Sequence, residues 1–358
     1  MKEPLKDGFF SLHESVKSEC IFGGKEERQA DLSIVIPTYK RKDLLRKTVK
    51  SILNQKKPEK LTYHVIIVSN DPDYDCDDLI VDLPANLFSI YRNTENIGMV
   101  GNMNRCAYLS QGKYVAYIQD DDILLDNYLV TIERLLNEGM MEGIDCLIPN
   151  RYYYYDQKNN ESNFGKKAYS AEKKKKILKC ALSIGIRKKL IQPLTFQDCA
   201  DTWYNCFAGG PTCGMLFRKN SLMNTKGFPE NYPYAFDFVF FIDFSSQYTV
   251  ALYDEFLSIY RMAESATNRA EVQADFYQAD LYLLERAKKC NGFVKKYEKE
   301  IIHFSRANKS AEARNLIPEG PPVKPFQYLR FRLIRFIRLM RSNVYRREIT
   351  PEKYWKLL

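Results

Sequence analysis

The chain of 358 residues lacks several things that would place it quickly. No run of eighteen apolar residues occurs, so no spanning helix is expected. The opening "MKEPLKDGFF" has no apolar signal core, so export is not expected and a cytoplasmic setting is. Only three histidines are present, His13, His64 and His303, and none neighbours another candidate catalytic group. A histidine base or a multi-histidine metal site is therefore not expected, and acid–base chemistry is expected to fall to carboxylates. Nine cysteines form no CxxC pair, and the seven-residue recurrence of Cys199, Cys206 and Cys213 has no partner to complete a zinc site. Reduced thiols are the plain expectation. Internal repeats are missing too.

What is present is a core-forming composition, 45% apolar, with a net charge of +9. "LSIVIPTY" (32–39), "HVIIVSND", "LFSIYRN", "KYVAYIQ" and "IDCLIPNRYYYY" are β-branched or aromatic runs and predict buried strands. Between them, "KDLLRKTVKSILNQ", "VGNMNRCAYLSQ" and "DNYLVTIERLLNEG" carry helical apolar stripes, the last with Asp126 as expected N-cap and Gly139 just past its end. This alternation predicts an α/β fold with a mostly parallel sheet covered on both faces. Ligands in such sheets gather beyond the carboxyl ends of the strands. Pro37-Thr38-Tyr39, Ser69-Asn70-Asp71 and Asp120 to Asp122 all fall there.

Further on, residues 159–190 are rich in lysine and are expected to be a solvated helical face or an acceptor-side insertion. "CFAGGPTCGMLFRK" reads as a Gly-rich turn into a strand, "YAFDFVFFIDFSSQ" as a buried helix with Asp237 and Asp243, and "TVALYDEFLSIYRM" as strand, turn, strand. After Pro321, Pro322 and Pro325, "FQYLRFRLIRFIRLMRSNVYRR" sets Phe326, Leu329, Leu333, Phe336, Ile337, Met340 and Val344 at helical spacing among seven arginines, with no acid from Pro321 to Arg347. A basic amphipathic helix of this kind predicts contact with an anionic membrane surface. The alternatives are packing on the catalytic domain or on the mate of a homodimer. Nucleic acid is disfavoured, since no recognition module appears.

The triplet Asp120-Asp121-Asp122 is the chemical centre of the sequence. Clustered carboxylates repel unless a cation neutralises them, and Mg²⁺ or Mn²⁺ takes carboxylate and phosphate oxygens together. Alternation on a strand end would point Asp120 and Asp122 the same way, as metal ligands, with Asp121 turned aside. A nucleotide pocket is expected close by. Thr38 and Tyr39 suit base and ribose, Asn70 or Asp71 a base edge, and Asn96, Gly98 and Asn104 supply a loop entering a helix.

These residues resemble glycosyltransferase family 2, on the GT-A fold, over roughly residues 31–270. "LSIVIPTYKRKDLLRKTVKSILNQ" is similar to the family's opening strand and helix, "HVIIVSNDPDYD" to its nucleotide-binding acids, and "NIGMVGNMNRCAYLSQGKYVAYIQDDDILLDNYL" to the segment ending in its D-x-D motif. "GGPTCGMLFRKNSLMNTKGFPENYPYAFDFVFFI" resembles the segment with the catalytic base, and "LSIYRMAESATN" the closing strand and loop. The resemblance implies inverting transfer from a nucleotide-diphosphate sugar, most simply a UDP-sugar, with Mn²⁺ or Mg²⁺ at Asp120 and Asp122, Asp237 as general base and Arg261 on the diphosphate. Pro37, Thr38, Tyr39, Arg41, Asn70, Asp71, Asn96, Gly98, Asn104, Asp120 and Asp121 would line the nucleotide. Trp203 and Tyr232 are candidates for a saccharide or lipid-linked acceptor, as surface polysaccharide assembly requires. The implied division is an extension over 1–30, the catalytic domain over 31–270 with a basic insertion near 156–200, a helical extension over 271–320 and the basic helix over 321–358. A sugar nucleotidyltransferase would need a Gly-rich loop after the first strand, where "PTYKRKD" has none. A non-catalytic, membrane-associated scaffold is the other alternative.

Overall fold

The computed structural model describes residues 8–24, 30–81, 83–155, 190–196, 212–262, 269–341, 348–349, 354 and 357. Its strands are β1 (Ser18–Phe22), β2 (Leu32–Thr38), β3 (Tyr63–Ser69), β4 (Phe88–Asn93), β5 (Tyr114–Tyr117), β6 (Ile123–Leu124), β7 (Cys146–Tyr155), β8 (Ile191–Leu194), β9 (Met215–Arg218), β10 (Val250–Met262) and β11 (Glu348–Ile349). They form one sheet in the order β1-β4-β3-β2-β5-β9-β7-β10-β6, with β11 on β7 and β8 on β10. β4, β3, β2 and β5 make a parallel block, β7 and β10 a second, and β9 lies antiparallel between the two.

Side chains alternate across this sheet, and each face has its own core. Leu32, Ile34 and Ile36 of β2 point to one face with Val65 and Ile67 of β3. Val35, Ile66 and Val68 point to the other. The first face is covered by α1 (Lys42–Leu53), through Leu45, Val49 and Ile52, and by α4 (Tyr128–Asn137), through Leu129, Ile132 and Leu135. A one-turn α2 (Asp77–Ile80) lies between β3 and β4. The second face is covered by α3 (Gly98–Leu109), through Val100, Met103 and Cys106, and by the short α5 (Lys219–Met223).

α6 (Phe236–Ser245) is apolar all round because it is buried all round. Phe236, Phe240, Phe241 and Phe244 enter the second core. Phe238, Val239 and Ile242 enter a third core, formed with α7 (Ala270–Ala287), α8 (Gly292–Lys296), α9 (Glu298–Ala307) and α11 (Pro325–Arg341). α10 (Ala311–Asn315) packs on α7. Each fully buried apolar side chain in these cores contributes roughly 1.5–3 kcal/mol. Among the described residues, no helix is long and apolar enough to cross a membrane.

Three expectations are corrected here. Part of the 1–30 extension belongs to the sheet, because β1 pairs antiparallel with the edge strand β4. "TVALYDEFLSIYRM" is one continuous strand, and the polar pair Asp254-Glu255 is accommodated by register shifts against β7 rather than by a turn. Asn127, not Asp126, precedes α4, and the Asp126 carboxylate pairs with Lys56 at 3.2 Å.

The turn from α3 into β5 sits on β2. Ser33 Oγ accepts the N–H groups of Gln111 and Gly112 at 3.0 and 2.8 Å. A Cβ at Gly112 would stand 2.5 Å from Ser33 N. Gly112→Ala should therefore lower stability by about 3 kcal/mol or more, read as a fall in the urea midpoint. Gly292→Ala, where an added Cβ meets nothing within 4 Å, should leave the midpoint unchanged or slightly raised.

Candidate active site

The chain does not continue as a strand after β5. Asp122 N–H donates to Gln119 O at 3.2 Å, closing a turn with Asp120 and Asp121 at its centre. The expected alternation of Asp120 and Asp122 is therefore corrected. Asp120 and Asp121 converge on one guanidinium: Arg41 Nη1 donates to Asp121 Oδ2 at 2.9 Å and to Asp120 Oδ1 at 3.4 Å. Asp122 faces inward instead. Its Oδ1 accepts the Arg261 backbone N–H at 3.0 Å, and its Oδ2 is buried beside the Cys213 thiol, with no other partner among the described residues.

Several elements hold this corner. Thr38, at the end of β2, donates its hydroxyl to Asp120 Oδ2 at 2.7 Å. The next turn carries Lys40 at φ 55°, a left-handed conformation that a non-glycine residue adopts at a cost of about 1–2 kcal/mol; it turns the chain into α1 just before Arg41. α1 has a second, polar stripe beside its apolar one. Thr48 donates to Asp122 O at 2.8 Å, Ser51 Oγ accepts Leu124 N–H at 3.2 Å, and Gln55, just past the helix end, bonds Leu125 O and Leu129 N at 2.7 and 3.1 Å. β6 then pairs with β10 through Ile123–Ile259 and Leu124–Ser258, which delivers Arg261 to the triplet. Arg261 Nε donates to Asp121 O at 3.1 Å, and its guanidinium lies 5.4 Å from the Tyr154 ring centre.

The electrostatics follow from burial. Desolvation, reinforced by Asp121, pushes Asp120 up to about 6. Desolvation also raises Asp121, and it raises Asp122 strongly, with the Asp121 charge adding to the effect. Asp237, in the first turn of α6, is raised by desolvation to about 6, while its Oδ1 accepts the Phe238 N–H at 2.8 Å. Two groups link Asp237 to the triplet. Arg151, fully buried on β7, lowers the pKa of both Asp122 and Asp237. Tyr260 is raised by burial and then by the charges of Asp122, Asp237 and Asp121. Neither Arg151 nor Tyr260 was singled out from sequence. The signal for Arg151 is a lone cation inside the otherwise apolar and aromatic run "CLIPNRYYYY".

Other expected site residues take different places. Asn70 is saturated. Its Nδ2 donates to Asn96 Oδ1 and Gly98 O at 2.6 and 3.0 Å, and its Oδ1 accepts from Asn93 Nδ2 and Ile97 N at 3.1 and 3.0 Å. It braces the loop before α3 and has no bond left for a base edge. Asp71 stays partly exposed, with Oδ1 accepting Asp73 N–H at 3.3 Å. Asn96 and Gly98 are exposed, Gly98 at φ +76° with open space where a Cβ would sit. Pro37 is buried in β2, and Tyr39 is exposed. Asn104 is corrected to a structural role. Buried on α3, it donates to Phe228 O at 2.9 Å and accepts Phe228 N–H at 2.8 Å. Tyr232 packs its ring 5.9 Å from that of Tyr282. Trp203 and most of the basic insertion lie outside the described residues.

For a divalent cation the donor set fits. Asp120 and Asp121 offer hard oxygen ligands that converge on one point, now held by the Arg41 guanidinium, while Asp122 lies behind them, facing inward. Among the described residues, no group of three or more His, Cys, Asp and Glu side chains is already arranged around one ion position. The remaining ligands would be phosphate oxygens and water.

Residues 33–207 match the family described as Glycosyl transferase family 2. A "GalNAc(5)-diNAcBac-PP-undecaprenol beta-1,3-glucosyltransferase" of Campylobacter jejuni is 33% identical over 121 residues, covering 33% of this chain and 38% of that protein. An uncharacterised glycosyltransferase of Rickettsia bellii is 28% identical over 112 residues, 31% of this chain and 16% of that one. The chain thus spans well under half the length of these curated relatives. The crystal structure of S. aureus TarS 1–349 in complex with UDP-GlcNAc aligns over 86% of this chain and 81% of its own, at TM-score 0.52 and 14% identity. Full S. aureus TarS aligns over 92% of this chain and 50% of its own, at TM-score 0.52 and 15% identity. This likeness shows the GT-A fold.

Two outcomes are expected from this geometry. Asn104→Ala should cost about 1–3 kcal/mol in thermal or urea unfolding, since its side chain joins α3 to both backbone polar groups of Phe228. The second concerns pH. Asp120 has a folded-state value above its ordinary 3.8. Between about pH 4 and 6 the native state therefore keeps protons that the unfolded chain releases. Stability from this source is full below that window and is lost as pH rises through it. Asp120→Asn should flatten that part of the pH–Tm curve and raise Tm at pH 7.5.

Proposed function

We propose that this chain, which carries a glycosyl transferase family 2 domain over residues 33–207, moves a sugar from a nucleotide-diphosphate donor to a hydroxyl of a saccharide or lipid-linked acceptor, with inversion at the anomeric carbon. The observation that carries this reading is the meeting of a desolvated carboxylate triplet with Thr38, Arg41 and Arg261 at the carboxyl edge of the parallel block, with Asp237 in the same electrostatic field. UDP is the preferred nucleotide because neighbours of the same fold have been crystallised with UDP and UDP-GlcNAc. A lipid-linked acceptor is supported by the undecaprenol-linked substrate in the name of the Campylobacter relative. In this reading residues 31–270 are the catalytic domain, and the enzyme works in surface polysaccharide assembly at the cytoplasmic side of a membrane.

The chain's own groups divide the work. Asp120 and Asp121, the pair that converges on one side of the turn, would hold Mn²⁺ or Mg²⁺ together with phosphate oxygens and water, and the ion would supply charge neutralisation to the departing diphosphate. Arg41, whose side chain is half exposed, can leave its carboxylates for phosphate oxygens. Arg261 adds a second guanidinium, and its contacts with Asp121 O and the Tyr154 ring orient it. With Asn70 saturated, the base edge falls to Asp71, and the ribose to Tyr39 and Asp120. Thr38 fixes the Asp120 rotamer. Asp237 takes the proton of the acceptor hydroxyl as its oxygen bonds the anomeric carbon and the bond to the diphosphate breaks. Arg151 stabilises the ionised form of Asp237, so that the base can be charged near neutrality although it is desolvated.

Asp237→Asn should lower transfer about 10² to 10⁴-fold and leave UDP binding in the presence of Mn²⁺ intact. The wild-type rate should rise with pH through about 6, where Asp237 loses its proton. Measured transfer or donor hydrolysis that is unchanged in Asp237→Asn would sink the assignment. No metal-dependent stabilisation by UDP, GDP, CDP or dTDP would favour the scaffold instead.

A further inference from the structure

α11 is amphipathic in an unusual sense: it has two apolar sides, and the described residues cover only one. Phe331 is fully buried in the third core, with ring centres 5.7 Å from Tyr297, 6.1 Å from Phe304 and 6.2 Å from Phe293. One turn earlier, Tyr328 meets His303 edge-on at 4.8 Å. One turn later, the Arg335 guanidinium lies 4.3 Å from the Phe304 ring centre. These three residues bolt the helix to α8 and α9. The stripe that sequence periodicity marks as apolar is on the opposite side. Phe326, Leu329, Leu333 and Ile337 follow one another at i, i+3, i+7 and i+11 and are 76%, 66%, 60% and 41% exposed. Scattered exposed apolar residues are ordinary, but an aligned row on one helix marks a contact surface.

Charge selects the occupant. Arg330 and Arg332 flank the row and are exposed. The sequence places no acid from Pro321 to Arg347. An apolar row flanked by arginines, on a helix without acids, suits neither a second copy of the same helix, whose like charges would meet, nor an acid-free apolar protein groove. It suits phosphate headgroups over acyl chains.

We infer that the outer face of α11 is the seat of this protein on an anionic lipid surface, with the helix lying in the interface plane and its inner face anchored in the third core. The consequence reaches the site. The same core contains Phe238, Val239 and Ile242 of α6, the helix that carries Asp237. A lipid-seated α11 therefore holds the candidate base at a set orientation to the membrane in which a lipid-linked acceptor would be embedded. This last step rests on the glycosyl-transfer reading; the lipid contact itself does not.

The test is flotation of the full chain with vesicles of phosphatidylcholine, with and without 30% phosphatidylglycerol, at low and high salt. Wild type should float with the anionic vesicles, more weakly in high salt, and should float poorly with neutral ones. Leu329→Asp with Leu333→Asp, and separately Arg330→Glu, should each weaken binding about tenfold or more with Tm unchanged, because these three side chains are exposed. Equal flotation of wild type and both variants, or no flotation of wild type, overturns the inference. So does a wild-type dimer in sedimentation velocity that the leucine variant abolishes without any change in flotation. A metal-dependent thermal shift with UDP, measured on the same preparations, reports on the glycosyl-transfer reading separately: its loss with flotation intact removes that reading and leaves the lipid seat standing.

Discussion

The structure is organised around a burial that would be intolerable if left alone: three consecutive carboxylates with little access to water. Each has its pKa pushed up by desolvation, so ionising them costs stability in the free protein. The surrounding fold reduces that cost without removing it. Thr38 and Arg41 come from the end of β2 and the start of α1, Arg261 from the far end of β10, and Arg151 from β7. Four elements that meet nowhere else in sequence converge there. Yet Asp122 Oδ2 has only the weak Cys213 thiol beside it among the described residues. A protein seldom keeps so costly a cluster for stability's sake. The unfinished satisfaction of the triplet is what a cation and a diphosphate would complete.

The polar side of α1 shows how that corner is kept in register. Thr48 and Ser51, joined by Gln55 just past the helix end, face the backbone of 122–129 rather than solvent, and they satisfy N–H and C=O groups that the short β6 leaves open. Two residues of ladder with β10 could not hold the turn alone. Small polar residues on the inward side of an amphipathic helix thus do for the loop what a longer strand would have done.

Much of this could be read before the fold was seen, and the limits have physical causes. Strands β2, β3, β4, β5 and β7 were legible because burial on both faces demands unbroken apolar runs. Asp120 to Asp122 and Asp237 were legible because unpaired acids in apolar surroundings are conspicuous. β1 was not, since "SECIF" is short and only partly buried and takes its strand character from the edge of β4. The orientation within the triplet was not legible either. Alternation assumes an extended chain, and the Asp122 N–H bond to Gln119 O bends it. Asn70 and Asn104 show a further limit. An asparagine beside a loop looks the same in sequence whether it meets a ligand or saturates itself on neighbouring backbone, and only the count of its bonds separates the two. Arg151 was hidden because a strand residue's partners lie on other strands.

α11 adds a case where periodicity was right and its first interpretation incomplete. The row Phe326, Leu329, Leu333 and Ile337 is an apolar face as the spacing requires, but the contact that fixes the helix is made by Phe331, a residue off that row. An amphipathic pattern identifies a face that wants cover; it does not say that the cover belongs to the same chain. When a helix is already held by its back, with an aromatic fully buried and a guanidinium on a ring, its remaining apolar face is not needed for folding. Exposed apolar area of that kind is a solubility burden for the free protein. The acid-free rim then confines its cover to a partner with negative charge on an apolar base, and that chemistry describes a bilayer surface more closely than it describes a protein.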